Sequence, residues 1–179
     1  MAAKRHERTL ARRAALQVLY SGEITDASPT SIAEGPDYLS EDGPLPEYAL
    51  VLIRGVESHR MGIDKHLAAT SENWSLARMP IVDRSILRLA TYEMMYVDDV
   101  PVSVSINEAV ELAKDFGGED ESPRFVNGVL GRIAKQLEAE AEAAAPAGAA
   151  SMEVAATAEA PAAEPAAATP TAPAESADA

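Results

Sequence analysis

The chain has 179 residues, and its 29 acidic and 15 basic side chains give a formal net charge of −14. Residues 1–137 carry all 15 bases and 21 acids, whereas residues 138–179 carry 8 acids and no base. The second segment is half alanine and has no aromatic residue, so it cannot bury enough apolar surface to offset the entropy of ordering its backbone. We therefore expect one folded domain over residues 1–137, followed by an acidic tail over residues 138–179 that is disordered beyond about residue 146.

Composition and motif content exclude several classes of protein. Without cysteine, the chain has no disulfide, no thiolate zinc site and no cysteine nucleophile. It lacks the phosphate-binding GxxxxGK[ST] loop, the GxGxxG motif, and the HExxH and GxSxG motifs of hydrolases. No window approaches the ~20 consecutive apolar residues that a membrane span requires. We expect a cytoplasmic protein that has no enzymatic activity and uses no metal or cofactor.

The first half of the sequence is patterned for helices. Leu10, Ala14 and Val18 recur at every fourth position and predict a helix over residues 8–21. Prolines and glycines punctuate residues 25–46, which we expect to form a connecting loop with at most one helical turn. Pro46 suits the start of a second helix, and a short third helix is predicted over residues 63–69.

Residues 81–97 are apolar on nearly every side, which predicts a central, buried helix. Its charged exceptions include Asp83, Arg88 and Glu93, and we expect these to mark where the helix reaches solvent or a partner. No segment of the chain shows the sustained alternation of a strand.

Two helices follow this central one. Ser105 and Glu108 have the spacing of a capping box and are predicted to open the first of them, which ends at Gly117. Ser122 and Pro123 are predicted to begin the last helix, whose apolar period runs past Leu137. The sequence therefore predicts an all-α bundle of about six or seven helices joined by short loops.

The basic N-terminus is the strongest local signal for function. Five cations lie within ten residues of a net-acidic domain, and arginine forks suit phosphate: Lys4, Arg5, Arg8, Arg12 and Arg13. Tyr20 and Phe116 could stack on unpaired bases near this surface. An ordinary solvated basic face explains the charges about as well, and a core position explains Phe116.

Four segments resemble the transcription antitermination factor NusB family in their order and spacing. They are residues 11–20 (ARRAALQVLY), 83–93 (DRSILRLATYE), 100–117 (VPVSVSINEAVELAKDFG) and 125–130 (FVNGVL). The resemblance spans about residues 5–137 and omits the loop at residues 25–46. It implies two packed helical subdomains, no enzymatic activity, and binding of boxA RNA in nascent ribosomal RNA together with the ribosomal protein NusE. RNA polymerase and other Nus factors are implied as indirect partners, and both monomers and homodimers occur among relatives.

Carried over position by position, the resemblance implies a set of contact residues. The RNA contacts would be Lys4, Arg5, Arg8, Arg12, Arg13, Tyr20, Phe116, Asp120 and Phe125. The protein-partner surface would comprise Asp83, Arg88 and Glu93. The unbroken arginine run of the family is interrupted here by Thr9 and Leu10, so the phosphate contacts are spread over the five cations.

The mechanism that we predict is binding without chemistry, in which the basic helix attracts phosphates and the turn near Phe116 reads bases. Five neutralised phosphates would give a salt slope of roughly −3.5. Reversing the charges of Arg12 and Arg13 together is predicted to abolish RNA binding without changing helicity. Two alternatives are a protein adaptor whose basic helix contacts an acidic protein, and a ribosomal RNA methyltransferase, which we do not expect from a chain of this length.

Overall fold

The computed structural model describes residues 2–35, 43–71, 75–118 and 121–144. These residues form seven α-helices and a short 3-10 helix at Leu76–Arg78, and they contain no strand. The helices are α1 (Ala2–Thr25), α2 (Pro29–Glu34), α3 (Glu47–Ser58), α4 (Arg60–Thr70), α5 (Ile81–Tyr96), α6 (Val102–Phe116) and α7 (Ser122–Ala144). The predicted all-α bundle of about six or seven helices is confirmed.

The predicted loop at residues 25–46 contains a helix of six residues, α2. Ser28 caps it, because its hydroxyl oxygen accepts a hydrogen bond from the backbone N–H of Ser31 at 3.2 Å. Pro29 occupies the first helical position, where its missing N–H costs nothing. The sequence signal was therefore present within the loop, in a segment too short to show an apolar period.

The predicted capping box is wrong. Helix α6 begins at Val102, directly after Pro101, whose fixed φ prepares the helical start. Ser105 consequently lies inside the helix and is buried, and Glu108 points across to α1. The Ser105 and Glu108 spacing reflects positions on the inner face of α6, not a cap.

Helix α5 is the centre of the packing. It contacts α1, α3, α4, α6 and α7, so it joins helices from both halves of the chain. Ten of its 16 residues are buried. The buried apolar side chains of both halves form one continuous core. The prediction of a central, buried helix over residues 81–97 is confirmed.

Helix α7 continues beyond Leu137 to Ala144, as the apolar period predicted. Residues 145–179 lie outside the described residues, so the tail and its predicted disorder remain predictions, as does the domain boundary at residue 137. In the part of the chain that the structure describes, no helix is long and apolar enough to cross a membrane.

Candidate nucleic-acid interface

The five N-terminal cations all lie on the first half of α1. Lys4 and Arg5 occupy the first turn, which contains no acidic residue, although the positive end of the helix dipole disfavours cations there. The local energetics of α1 therefore do not explain why cations occupy these positions. Their environments differ sharply from one residue to the next.

Asp99, in the turn between α5 and α6, pairs with two of the cations. Nη2 of Arg8 lies 2.5 Å from its Oδ2, and Nζ of Lys4 lies 3.9 Å from the same oxygen. The hydrogen bond from Arg8 lowers the pKa of Asp99, and the bond to Asp99 raises the pKa of Arg8. The guanidinium of Arg8 also lies over the ring of Tyr48, 4.6 Å from its centroid.

Arg13 reaches the C-terminal end of α6. Its guanidinium pairs with the carboxylate of Asp115 and lies 5.5 Å from the centroid of the Phe116 ring. The side chains of Arg13 and Asp115 are each 41% exposed. The structure therefore brings together a cation predicted to bind phosphate and the aromatic residue predicted to stack on a base.

Arg12 has a different environment, because its side chain is only 3% exposed. Its Nε donates to Oε1 of Glu93 at 2.9 Å, and its Nη1 lies 3.3 Å from Oε2 of Glu108. The hydroxyl of Thr9 donates to the same Glu108 oxygen at 2.8 Å. In this position Arg12 faces two carboxylates within the protein and does not offer its guanidinium to solvent, which conflicts with a direct RNA contact.

Tyr48 completes this buried cluster. Its hydroxyl donates to Oε1 of Glu93, and its ring lies beside the guanidinium groups of Arg8 and Arg12. Burial raises the pKa of Tyr48, and the hydrogen bond to Glu93 raises it further. We call Arg12, Glu93, Glu108 and Tyr48 the buried cluster; it ties α1 to α3, α5 and α6.

The expectation that the charges of α5 lie exposed at a partner surface is wrong for all three residues, because each is buried. Asp83 accepts a hydrogen bond from Ser122 at the start of α7. Nε of Arg88 lies 2.7 Å from Asp64 of α4, and its Nη1 lies 2.8 Å from Glu23 of α1. Glu93 belongs to the buried cluster. All three of these charged side chains therefore bind residues of neighbouring helices inside the fold.

Glu23 is the centre of a second ionic cluster, which the sequence analysis missed. It pairs with Arg60, Arg84 and Arg88, and its side chain is 12% exposed. Burial alone would raise the pKa of Glu23, but the hydrogen bond from Arg84 and the charges of Arg88 and Arg60 lower it overall. The partners come from distant parts of the chain, so no local pattern marks them.

The remaining predicted RNA contacts are scattered over the fold. Arg5 is exposed on α1, and Tyr20 is 39% exposed farther along the same helix. Phe116 and Phe125 are half-buried and pack against the core. Asp120 lies outside the described residues. No group of three or more histidine or carboxylate side chains in the described part of the chain could hold a metal ion.

Comparison with known proteins gives a consistent result. Residues 9–135 match the model of the NusB family. A transcription antitermination protein NusB from Saccharopolyspora erythraea is 46% identical over 128 residues, which are 71% of this chain and 86% of that protein. The structure of T. maritima NusB matches with a TM-score of 0.65 at 39% identity, covering 72% of this chain and 91% of that one.

A second solved structure is that of the antitermination factors NusB and NusE in complex with double-stranded RNA. One of its chains matches with a TM-score of 0.61 at 27% identity. The match covers 73% of this chain and 98% of that one.

Proposed function

Because the chain belongs to the NusB family, we propose that it is a transcription antitermination factor, cytoplasmic and without enzymatic activity. In this proposal it binds the boxA sequence of nascent ribosomal RNA together with the ribosomal protein NusE. The pair joins other Nus factors on RNA polymerase, which then reads through terminators. The relative solved with NusE and RNA supports the proposed partners.

The contact between Arg13 and Phe116 is the observation that carries the RNA site. It joins the basic half of α1 to an aromatic residue at the end of α6 on one partly exposed surface. Phosphates would bind the cations, and an unpaired base would stack at the Phe116 end. Tyr20 and Phe125 remain proposed RNA contacts outside the pair formed by Arg13 and Phe116.

The proposed phosphate contacts number four and not five. Lys4, Arg5, Arg8 and Arg13 offer charge at the surface, whereas Arg12 is held inside the buried cluster. With about 0.7 counterions released for each contact on a single strand, the salt slope becomes roughly −2.8. We propose that Arg12 acts indirectly, by fixing α1 against α5 and α6.

The protein partner would bind where α5 comes closest to the surface. Three charged residues of α5 are buried: Asp83, Arg88 and Glu93. We propose that they hold α5 in position against the neighbouring helices and do not contact the partner directly. Changing one of them would alter partner binding only through the packing of α5.

The proposed function is tested by titrating boxA RNA and a scrambled RNA of equal length, with and without NusE. Tighter binding of boxA, strengthened by NusE, is the expected result. A log–log slope against salt near −2.8 would support four phosphate contacts. Equal affinity for both RNAs would overturn sequence-specific binding and favour the protein adaptor.

A further inference from the structure

Two carboxylates lie against the cations of the proposed RNA site. Asp99 pairs with Lys4 and Arg8, and Asp115 pairs with Arg13. We call Asp99 and Asp115 the masking carboxylates. Three of the four surface cations of α1 are therefore neutralised in part by the protein itself.

These pairs contribute little to the fold. The side chain of Asp99 is 59% exposed and that of Asp115 is 41% exposed, although that of Arg8, one partner of Asp99, is only 20% exposed. Ion pairs that are this open to solvent contribute little to stability, because water and salt screen them. By contrast, Glu93 and Glu108 are enclosed by the protein around Arg12. The masking carboxylates can leave their partners at small cost, whereas Glu93 and Glu108 cannot.

A phosphate is a better partner for the same cations than a carboxylate on the same protein. Its two nonbridging oxygens fit an arginine fork as well as a carboxylate does, and its binding also releases condensed counterions from the RNA. It must nevertheless displace the carboxylate or share the cation with it. A displaced carboxylate that stays beside the RNA strand also repels the phosphates of that strand.

We infer that Asp99 and Asp115 mask the basic face in the free protein, and that RNA binds by exchanging their carboxylates for its phosphates. The masking carboxylates thereby weaken binding to any RNA, so that phosphates alone give little affinity and base contacts or the protein partner must add the remainder. This inference rests on the proposed function. On this inference, Asp99 and Asp115 lower the affinity for every RNA, although neither of them contacts a base.

The two carboxylates could instead have the opposite role of positioning the arginines for phosphate. The two roles predict changes of opposite sign in RNA affinity. A carboxylate that held Arg8 or Arg13 in the geometry needed for phosphate would strengthen binding, and its removal would weaken it. Masking predicts that removal strengthens binding. The sign of the change therefore distinguishes masking from positioning.

The test uses the full chain with Asp99→Asn, Asp115→Asn and both together. Each single variant should bind boxA RNA about two- to fivefold more tightly at low salt, the range that corresponds to a weak exposed ion pair. The double variant should show about the product of the two gains, because the two pairs share no residue. The gain should shrink as salt rises and screens the charges.

Two variants control for charge alone. Glu34→Gln removes a carboxylate from an ion pair of similar exposure, formed with Arg54 and away from the basic half of α1. Glu111→Gln removes one from α6 itself, where Glu111 pairs with Lys114 of the same helix. Neither should raise affinity by more than half the gain of Asp115→Asn. Unchanged melting temperatures would show that all five variants fold.

The outcomes separate this inference from the proposed function. Wild-type protein that prefers boxA, together with weaker or unchanged binding by the double variant, overturns the masking and leaves the function standing. An equal gain from the control variants also overturns it. Wild-type protein that binds no RNA overturns the proposed function and the masking with it.

Discussion

Arg12 and Arg13 are adjacent in the sequence and have opposite environments. The side chain of Arg12 is 3% exposed and lies between two glutamates, whereas that of Arg13 is 41% exposed and pairs with Asp115 at the surface. Consecutive residues of a helix point about 100° apart, so one of them turns into the packing of α5 and α6 and the other does not. The same residue type thus forms part of the structure at one position and is available to a ligand at the next.

The comparison of these two regions shows that the burial of an ion pair decides its role. A buried pair constrains the fold, whereas an exposed cation can exchange its partner. In the buried cluster, removing one member leaves another charge in a low-dielectric interior, so the cluster constrains the fold. On the basic face, water replaces a lost partner at little cost, so the cations can exchange partners. A count of basic residues in α1 does not separate these roles.

The largest expected effect comes from breaking the buried cluster. Arg12→Ala leaves the carboxylates of Glu93 and Glu108 without their cation, and it should lower the free energy of unfolding by about 3–5 kcal/mol. Arg13→Ala is the matched control and should change it by less than about 1 kcal/mol. Urea unfolding followed by circular dichroism measures both.

Equal losses in the two variants would show that Arg12 is not enclosed as the structure places it. The result also bears on reversing both charges together. The basic pattern of the sequence predicts unchanged helicity for that double variant, but the burial of Arg12 predicts partial or complete unfolding. Loss of RNA binding in it would therefore say nothing about Arg13.

A second, smaller effect is the dependence of stability on pH that arises from Glu23. The folded-state pKa of Glu23 is lowered, so its contribution is present above its unfolded pKa of about 4.5 and is lost as pH falls through the folded value. Glu23→Gln should cost about 2 kcal/mol at pH 7, because it replaces charged hydrogen bonds with neutral ones. The difference from wild type should shrink below pH 4.5.

Asp99 is the comparison on the exposed face, because its pKa is also lowered, by the hydrogen bond from Arg8. Its carboxylate is open to solvent, so Asp99→Asn should leave the free energy of unfolding nearly unchanged at every pH in moderate salt. A pH-independent penalty for Glu23→Gln would contradict the ionised state of Glu23 in the fold.

Much of the fold could be predicted from the sequence, because apolar periodicity reports which face of a helix is buried. The central position of residues 81–97 followed from their apolar character alone. Periodicity does not report which distant charges will meet. Arg88 appeared as an exposed charge because its partners, Glu23 and Asp64, lie 65 and 24 residues away.

The same limit applied to the candidate site. The basic cluster on α1 was visible, but the division between Arg12 and Arg13 depends on where α5 and α6 pack. The masking carboxylates come from residues 99 and 115, and neither has a motif that connects it to α1. Local patterns identify cations, whereas only the assembled fold identifies their partners.

The smallest expected effect is on RNA affinity, and it addresses the exposed half of the comparison directly. Arg13→Ala removes one proposed phosphate contact and the cation beside Phe116, so the salt slope should change from about −2.8 to about −2.1. The affinity for boxA RNA at low salt should fall roughly fivefold. Arg54→Ala is the matched control, since Arg54 is 54% exposed and pairs with Glu34 in a similar way. If both variants changed the slope equally, RNA would be responding to overall charge, and the contact between Arg13 and Phe116 would no longer mark the site. A change in Arg13→Ala alone would place a phosphate at that end of α6.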